Sequence, residues 1–121
     1  MQKNRKNLIE NKKMTFGKSL KEFIVGSKII HWPGKTITES DNNIFSLITM
    51  NHHPLHIDKI FAKKQKHKKI VINGTLVFSL VVGMTVKDIS GKAIVNLSYD
   101  KIIHLKPVFI NDTLYAFSKI L

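Results

Sequence analysis

The stretch that decides the fold reads Ile70-Val71-Ile72-Asn73-Gly74-Thr75-Leu76-Val77-Phe78-Ser79-Leu80-Val81-Val82-Gly83-Met84-Thr85-Val86. It is apolar on nearly all sides and falls just short of the roughly 18 residues expected of a membrane span, so it predicts a buried helix. Asn73 or Thr75 can cap the N-terminus of this helix. Because its apolar side chains point in every direction, we expect other structure to cover most of its sides.

The residues after this helix alternate between apolar and polar side chains, as half-buried strands do. Alternation from Ala93 to Leu105 predicts one strand. Asn111-Asp112 predicts a turn, and the apolar residues of Thr113 to Leu121 predict a final strand. This half of the chain therefore supplies most of the expected sheet.

The residues before the helix predict shorter elements. Trp32-Pro33-Gly34 predicts a turn, and Thr36-Ile37-Thr38 predicts a short strand. Ser40 is a candidate N-cap for a helix that Pro54 is expected to stop, and a second short helix is expected from about Asp58. The order of elements predicts an α+β fold in which an antiparallel sheet covers a central helix.

Composition indicates one globular domain of a cytoplasmic protein. The 121 residues suit a single domain, and 43% hydrophobic residues are typical of a globular protein. Residues 1–15 are basic and polar, so we predict a flexible tail there and the folded domain over residues 16–121. No cysteine is present, which excludes disulfides and thiolate chemistry. The start lacks the apolar core of a secretory signal, and we expect no membrane anchoring.

The net charge of +12 suits three kinds of partner: nucleic acid, an anionic membrane surface or a phosphate-bearing ligand. The lysines concentrate in residues 3–21 and 59–69 without the interleaved aromatic residues of single-strand binders, and Arg5 is the only arginine. We therefore do not expect nucleic-acid binding as the main function. A lysine-rich solvated surface is the simpler interpretation.

The segment best suited to chemistry is Asn51-His52-His53-Pro54-Leu55-His56-Ile57-Asp58. A metal site is not expected, because Pro54 disrupts helical spacing of the histidines and no third ligand follows at a familiar distance. A nucleophilic serine elbow and glycine-rich phosphate motifs are absent. Two interpretations stay open: acid/base catalysis by His56, or a histidine that only hydrogen-bonds its loop.

Four short motifs resemble the MaoC-like dehydratases, a hot-dog family that includes the (R)-specific enoyl-CoA hydratases. They are Thr36-Ile37-Thr38-Glu39-Ser40-Asp41, the Asn51–Asp58 segment, Ile72-Asn73-Gly74-Thr75-Leu76, and Pro107-Val108-Phe109-Ile110-Asn111-Asp112-Thr113-Leu114. The resemblance spans about residues 23–121 and is closest to the branch of mesaconyl-CoA hydratases and β-methylmalyl-CoA dehydratases. It implies a hot-dog fold, with an antiparallel sheet wrapped around a long central helix. Family members continue for further strands, so the last strands are expected to be missing.

The resemblance also implies roles for individual residues. His56 matches the family's catalytic histidine, and Asn51 stands where the family has a catalytic aspartate. Gly74, with Asn73 beside it, matches the region whose backbone N–H holds the thioester oxygen. His53 and Pro54 match the loop that meets the substrate. An asparagine can orient water but cannot accept a proton, which makes Asn51 the main departure from the family pattern.

The implied function is addition or removal of water across the double bond of an enoyl-CoA thioester. The alternative is a catalytically impaired or non-catalytic hot-dog module that binds acyl thioesters or a partner chain. The resemblance implies no cofactor other than coenzyme A as part of the substrate, and it implies a homodimer. We expect lysines of residues 63–69 to meet the phosphates of coenzyme A, because of their charge.

Overall fold

The computed structural model describes residues 16–121, so the predicted tail of residues 1–15 lies outside the described part of the chain. The main elements, in chain order, are β1 (Lys28–Thr36), α1 (Glu39–Ile48), α2 (Pro54–Ile57), α3 (Lys59–Lys63), α4 (Gly74–Val86) and β2 (Thr113–Lys119). Two short 3-10 turns lie at Leu20–Glu22 and Ser90–Lys92. The α+β class predicted from the sequence is confirmed. Within residues 16–121, no helix is long and apolar enough to cross a membrane.

The two strands form an antiparallel pair, and β1 carries a bulge. The register runs from Lys28 opposite Lys119 to Thr36 opposite Thr113, with an irregularity between His31 and Lys35. The predicted turn at Trp32-Pro33-Gly34 is wrong, because these residues form the bulge and the strand continues through them. A bulge leaves residues outside the hydrogen-bond ladder, and it therefore tolerates a proline, which has no N–H to donate.

Gly34 is required at this bulge by the close approach of the opposite strand. A Cβ atom at Gly34 would lie 2.6 Å from Cε1 of Tyr115 and 2.9 Å from the carbonyl oxygen of Leu114. Both distances are shorter than van der Waals contact, so any larger residue would push the two strands apart.

Helix α4 is confirmed, and Asn73 is its N-cap, with its Oδ1 accepting the Thr75 N–H at 3.1 Å. Ile37, Ile72 and Leu76 form the buried core between this helix and the sheet. The expectation that α4 is covered on most sides is wrong for the described residues, because Leu76 is its only buried residue there. The described sheet has two strands and covers one side of the helix.

Helices α1 to α3 begin at residues that the sequence only partly predicted. Thr38, rather than Ser40, caps α1, because Thr38 and Asp41 satisfy each other's backbone N–H groups at 3.2 and 2.8 Å. Pro54 does not end α1, which stops at Ile48; it occupies the first position of α2, where a proline needs no partner for a missing N–H. The predicted start of α3 at Asp58 is confirmed, with Asp58 as its N-cap.

The strand predicted from Ala93 to Leu105 is wrong, because these residues carry no strand in the structure. The side chains of Val95 and Leu97 are exposed. A strand needs a neighbour to satisfy its backbone N–H and C=O groups, and the described residues place none beside this segment. The turn at Asn111-Asp112 and the final strand, observed as Thr113–Lys119, are confirmed.

A buried histidine joins both strands to the end of α4. His31 is 2% exposed; its Nδ1–H donates to Oδ2 of Asp88 at 2.7 Å, and its Nε2 shares a hydrogen bond with Oγ of Ser118 at 2.8 Å. The hydrogen bond from His31, and a second from Lys87, lower the pKa of the Asp88 carboxyl below its ordinary value of 3.8. The charged form of Asp88 is therefore stabilised by folding.

This network predicts an acid-dependent loss of stability. Because the folded-state pKa of Asp88 is lowered, its contribution is fully present above pH 3.8 and is lost as pH falls through the folded value. We expect Asp88→Asn to be less stable than the unmodified chain at pH 7, and the difference to shrink below about pH 4. Urea unfolding from pH 3 to 7 measures this. The matched variant Asp100→Asn, at an exposed carboxylate, should leave stability at pH 7 unchanged; an equal loss in both would contradict the assignment.

The end of α1 holds a methionine in a conformation that favours glycine. Met50 has φ of 60°, its N–H donates to the Leu47 carbonyl at 3.1 Å, and the Asn51 N–H donates to the Ser46 carbonyl at 2.9 Å. This is a Schellman ending, in which the left-handed position usually belongs to glycine. The ending sets the direction in which the chain leaves α1 toward Asn51.

Met50→Gly is expected to raise the free energy of unfolding by about 0.5–1 kcal/mol, because glycine adopts the positive φ without a clash of its Cβ. Thermal or urea unfolding measures the change. Met50→Ala keeps a Cβ and should gain nothing. Equal stabilisation by both substitutions would show that removal of the exposed methionine side chain, rather than relief of the backbone, is responsible.

Candidate active site

His56 is held in one orientation by two hydrogen bonds. Its Nδ1 lies 2.7 Å from the carbonyl oxygen of Val71, and its own carbonyl accepts a hydrogen bond from Nδ2 of Asn42 at 2.7 Å. A carbonyl oxygen can only accept, so the Nδ1 of His56 carries the proton. Nε2 of the neutral ring is then unprotonated and is the nitrogen available as a base.

A cavity of about 330 Å³ adjoins this histidine. Its lining is mostly apolar, with a few polar groups; it includes His56, Val71, Gly74, Val77, His104 and Val108. Small-molecule sites combine apolar walls with a few polar groups that orient the ligand, and this cavity has that composition. The sequence did not point to His104, which lies in the segment predicted to be a strand.

Gly74 places a free backbone N–H at the same cavity. It is the first residue of α4, and among residues 16–121 its N–H has no hydrogen-bond acceptor. A Cβ atom at this position would lie 3.2 Å from Cε1 and from Nε2 of His104. The absence of a side chain therefore lets the His104 ring lie against the N-terminus of α4, whose N–H groups and dipole favour an atom that gains negative charge.

A fully buried polar network joins α1 to the two parts of the site. Asn42 is 0% exposed, and besides its bond to the His56 carbonyl, its Oδ1 accepts the Asn73 N–H at 3.0 Å. Asn73 is 1% exposed and donates from Nδ2 to Oγ of the buried Ser46 at 3.4 Å. The sequence singled out Asn73 but neither Asn42 nor Ser46. One amide thus fixes the backbone of His56 relative to the start of α4.

The other residues expected at the site lie beside the cavity rather than on it. Asn51, His53 and Pro54 are not among the described residues that line it. Oδ1 of Asn51 accepts the His53 N–H at 3.5 Å, and Nδ1 of His53 accepts the Leu55 N–H at 3.1 Å. His53 and Pro54 therefore start helix α2 and set the position of His56. Asn73 likewise does not line the cavity; as the N-cap of α4, it sets the position of Gly74.

Asn42→Ala is expected to lower the free energy of unfolding by about 1–3 kcal/mol, because it leaves the buried N–H of Asn73 and the carbonyl of His56 without partners. Urea unfolding measures the loss. Asn43→Ala, one position along the same helix, makes the same chemical change where no hydrogen bond of the side chain is found in residues 16–121. It should change stability little, and a loss equal to that of Asn42→Ala would contradict the role of the network.

No three histidine, aspartate or glutamate side chains of the described residues converge in a way that could hold a metal ion. The polar groups that line the cavity include the oriented imidazole of His56, a second imidazole at His104, and Gly74 with its backbone N–H. Together they can move a proton and stabilise an oxyanion.

Comparison with known proteins places the chain in a family. The model of the MaoC like domain matches residues 21–120. The chain is 30% identical over 109 residues to the mesaconyl-CoA hydratase of Cereibacter sphaeroides, which covers 90% of this chain and 32% of that protein. It is 33% identical over 105 residues to the β-methylmalyl-CoA dehydratase of Chloroflexus aurantiacus, which covers 87% of this chain and 30% of that protein. The chain spans about a third of the length of these two relatives.

Similarity to solved structures agrees with the sequence comparison. The monoamine oxidase regulatory protein of Archaeoglobus fulgidus superimposes with a TM-score of 0.72 at 30% identity, covering 84% of this chain and 69% of that one. The hot-dog fold expected from the motifs is therefore confirmed. Because the family model covers most of the residues and the fold agrees, the chain belongs to the MaoC-like domain family.

Proposed function

We propose that this chain carries the site of a hydratase or dehydratase that adds water to, or removes it from, the double bond of an enoyl-CoA thioester. The observation that carries the proposal is the orientation of His56. Its Nδ1–H is held by the Val71 carbonyl at 2.7 Å, which leaves Nε2 free to exchange a proton beside a cavity that also contains the free N–H of Gly74. The names of the related proteins, a mesaconyl-CoA hydratase and a β-methylmalyl-CoA dehydratase, support the same chemistry.

In the hydration direction, Nε2 of His56 takes a proton from water as the water oxygen bonds to the β-carbon of the thioester. The electron pair of the double bond moves to the thioester oxygen, where the Gly74 N–H and the positive end of α4 stabilise the charge. The α-carbon then takes the proton back from His56, which restores the neutral ring. Dehydration follows the same steps in reverse.

Asn51 has a secondary role in this proposal. Its amide can orient a water molecule but cannot accept a proton, so both proton transfers fall to His56. Asn42 and Asn73 are positioning residues, because each acts through a backbone group of the site. The substrate itself supplies coenzyme A, and we propose a cytoplasmic homodimer that uses no separate cofactor.

The alternative is a non-catalytic module that binds acyl thioesters or a partner chain. The observation that favours it is the amide at Asn51, which removes one acid/base group from the expected pair. Loss of such a group commonly lowers a rate by about 10²–10⁴. Binding of crotonyl-CoA without turnover would support this module over the enzyme.

His56→Ala is expected to lower kcat/KM for crotonyl-CoA or mesaconyl-CoA by about 10²–10⁴, because it removes the imidazole that carries both protons in the proposed mechanism. Hydration is measured as the loss of the absorbance of the double bond conjugated to the thioester carbonyl. His52→Ala removes an exposed histidine from the same loop and should retain the activity of the unmodified chain. The proposal fails if the unmodified chain hydrates neither substrate, or if His56→Ala is as active as His52→Ala.

A further inference from the structure

A second cavity, which we call the lysine cavity, has a volume of about 390 Å³. Four lysines surround it together with a single carboxylate and one aromatic ring: Lys59, Lys63, Lys68, Lys69, Glu39 and Phe109. No residue of this set also contributes to the lining of the His56 cavity. The two cavities therefore offer different chemistry, one apolar with an acid/base group and one strongly cationic.

In the described part of the chain, the lysines of this cavity have no acidic partners. Lys59 and Lys63 lie four residues apart on α3, a spacing at which like charges repel each other. Among residues 16–121, none of the four lysines is within ion-pair distance of a carboxylate, whereas Lys35 pairs with Asp41 at 2.8 Å nearby. Four cations around one concave space attract a multiply charged anion, which would relieve their repulsion.

An aromatic ring in the lining adds a second recognition element. Nζ of Lys69 lies 3.9 Å from the centroid of the Phe109 ring, and the ring of His67 meets it edge-on with centroids 5.8 Å apart. The Phe109 N–H donates to Oδ2 of Asp112 at 2.9 Å, which fixes the backbone below the ring. A flat heteroaromatic group can stack on such a ring while the lysines hold attached phosphates.

The loop that carries two of the lysines has a defined conformation. Lys68 has φ of 59°, in the left-handed region that side chains other than glycine rarely adopt, and its N–H donates to the Gln65 carbonyl at 3.1 Å. This turn places Lys68 and Lys69 on the rim of the cavity instead of continuing away from it. Residues held in such backbone conformations concentrate at functional sites.

The lysine cavity adjoins the His56 cavity through two short segments. Ile70 and Phe109 line the lysine cavity, while the neighbouring Val71 and Val108 line the other one. Val71 and Phe109 are themselves paired by an antiparallel bridge. A single ligand with a flexible arm can therefore follow this bridge from one cavity to the other.

We propose that the lysine cavity binds the phosphorylated adenosine end of the coenzyme A ester whose acyl end reaches His56. The inference rests on the proposed function for the identity of the ligand. The charge and the aromatic ring point to a nucleotide with several phosphates, and the shared bridge supplies the connection to the reacting end.

The test uses adenosine 3′,5′-bisphosphate, which carries the nucleotide but no reacting group. The unmodified chain is expected to bind it in calorimetry, and the double substitution Lys68→Ala/Lys69→Ala is expected to weaken binding about tenfold or more, because two charge-assisted contacts are lost. The matched control Lys64→Ala/Lys66→Ala removes the same charge from the same loop, outside the cavity lining. It should bind nearly as well as the unmodified chain.

Turnover provides a second readout. The Lys68/Lys69 double substitution should raise KM for crotonyl-CoA and leave hydration of crotonyl-N-acetylcysteamine, which lacks the nucleotide, unchanged. Equal weakening by both double substitutions would overturn the proposal, since only the overall charge would then matter. Binding of single-stranded RNA without binding of the bisphosphate would overturn it as well.

The two proposals fail separately. If the chain binds the bisphosphate through Lys68 and Lys69 but hydrates no thioester, the lysine cavity stands and the enzymatic function falls. If it hydrates thioesters with and without the nucleotide equally well, and does not bind the bisphosphate, the function stands and the assignment of the cavity falls.

Discussion

The side chain of Asn42 holds the backbone of His56 and the start of α4 in a fixed relative position. It donates to the His56 carbonyl and accepts from the Asn73 N–H, at 2.7 and 3.0 Å, with no exposure to solvent. A buried amide of this kind is stable only when its polar atoms are paired, so the network permits one arrangement of α1, α2 and α4. His56 and the N-terminus of α4 owe their relative position to a side chain that is fully buried.

The two neighbouring cavities differ in the chemistry of their linings. His56 and the Gly74 N–H adjoin a mostly apolar cavity, where hydrogen bonds and charges act more strongly than in water. Four lysines that pair with no carboxylate of residues 16–121 surround a neighbouring cavity, where solvent access lowers the cost of keeping them charged. The bridge between Val71 and Phe109 joins the two regions. A basic composition that looked like a solvated surface in the sequence is thus partly organised around one concave feature.

Local signals predicted the helices better than the sheet. Asn73 and Asp58 cap their helices through hydrogen bonds to residues two or three positions away, and such contacts can be inferred from spacing alone. The alternation between Ala93 and Leu105 indicates a preference for an extended chain, but a strand also needs a hydrogen-bonding neighbour. The prediction of a turn at Trp32-Pro33-Gly34 failed for a related reason. Pairing with the opposite strand places these residues in a bulge of β1.

The sequence by itself determined the central helix, the family, and the candidacy of His56, because apolar periodicity and short motifs are properties of neighbouring residues. Only the tertiary structure decided which ring nitrogen of His56 is free, since that depends on the Val71 carbonyl fifteen positions away. It also decided that Asn42 joins the His56 backbone to the start of α4, and that four lysines line one cavity together with Phe109. Burial and long-range hydrogen bonds arise when distant segments pack against each other. The spacing of residues along the chain does not show which polar residue the packed segments will enclose.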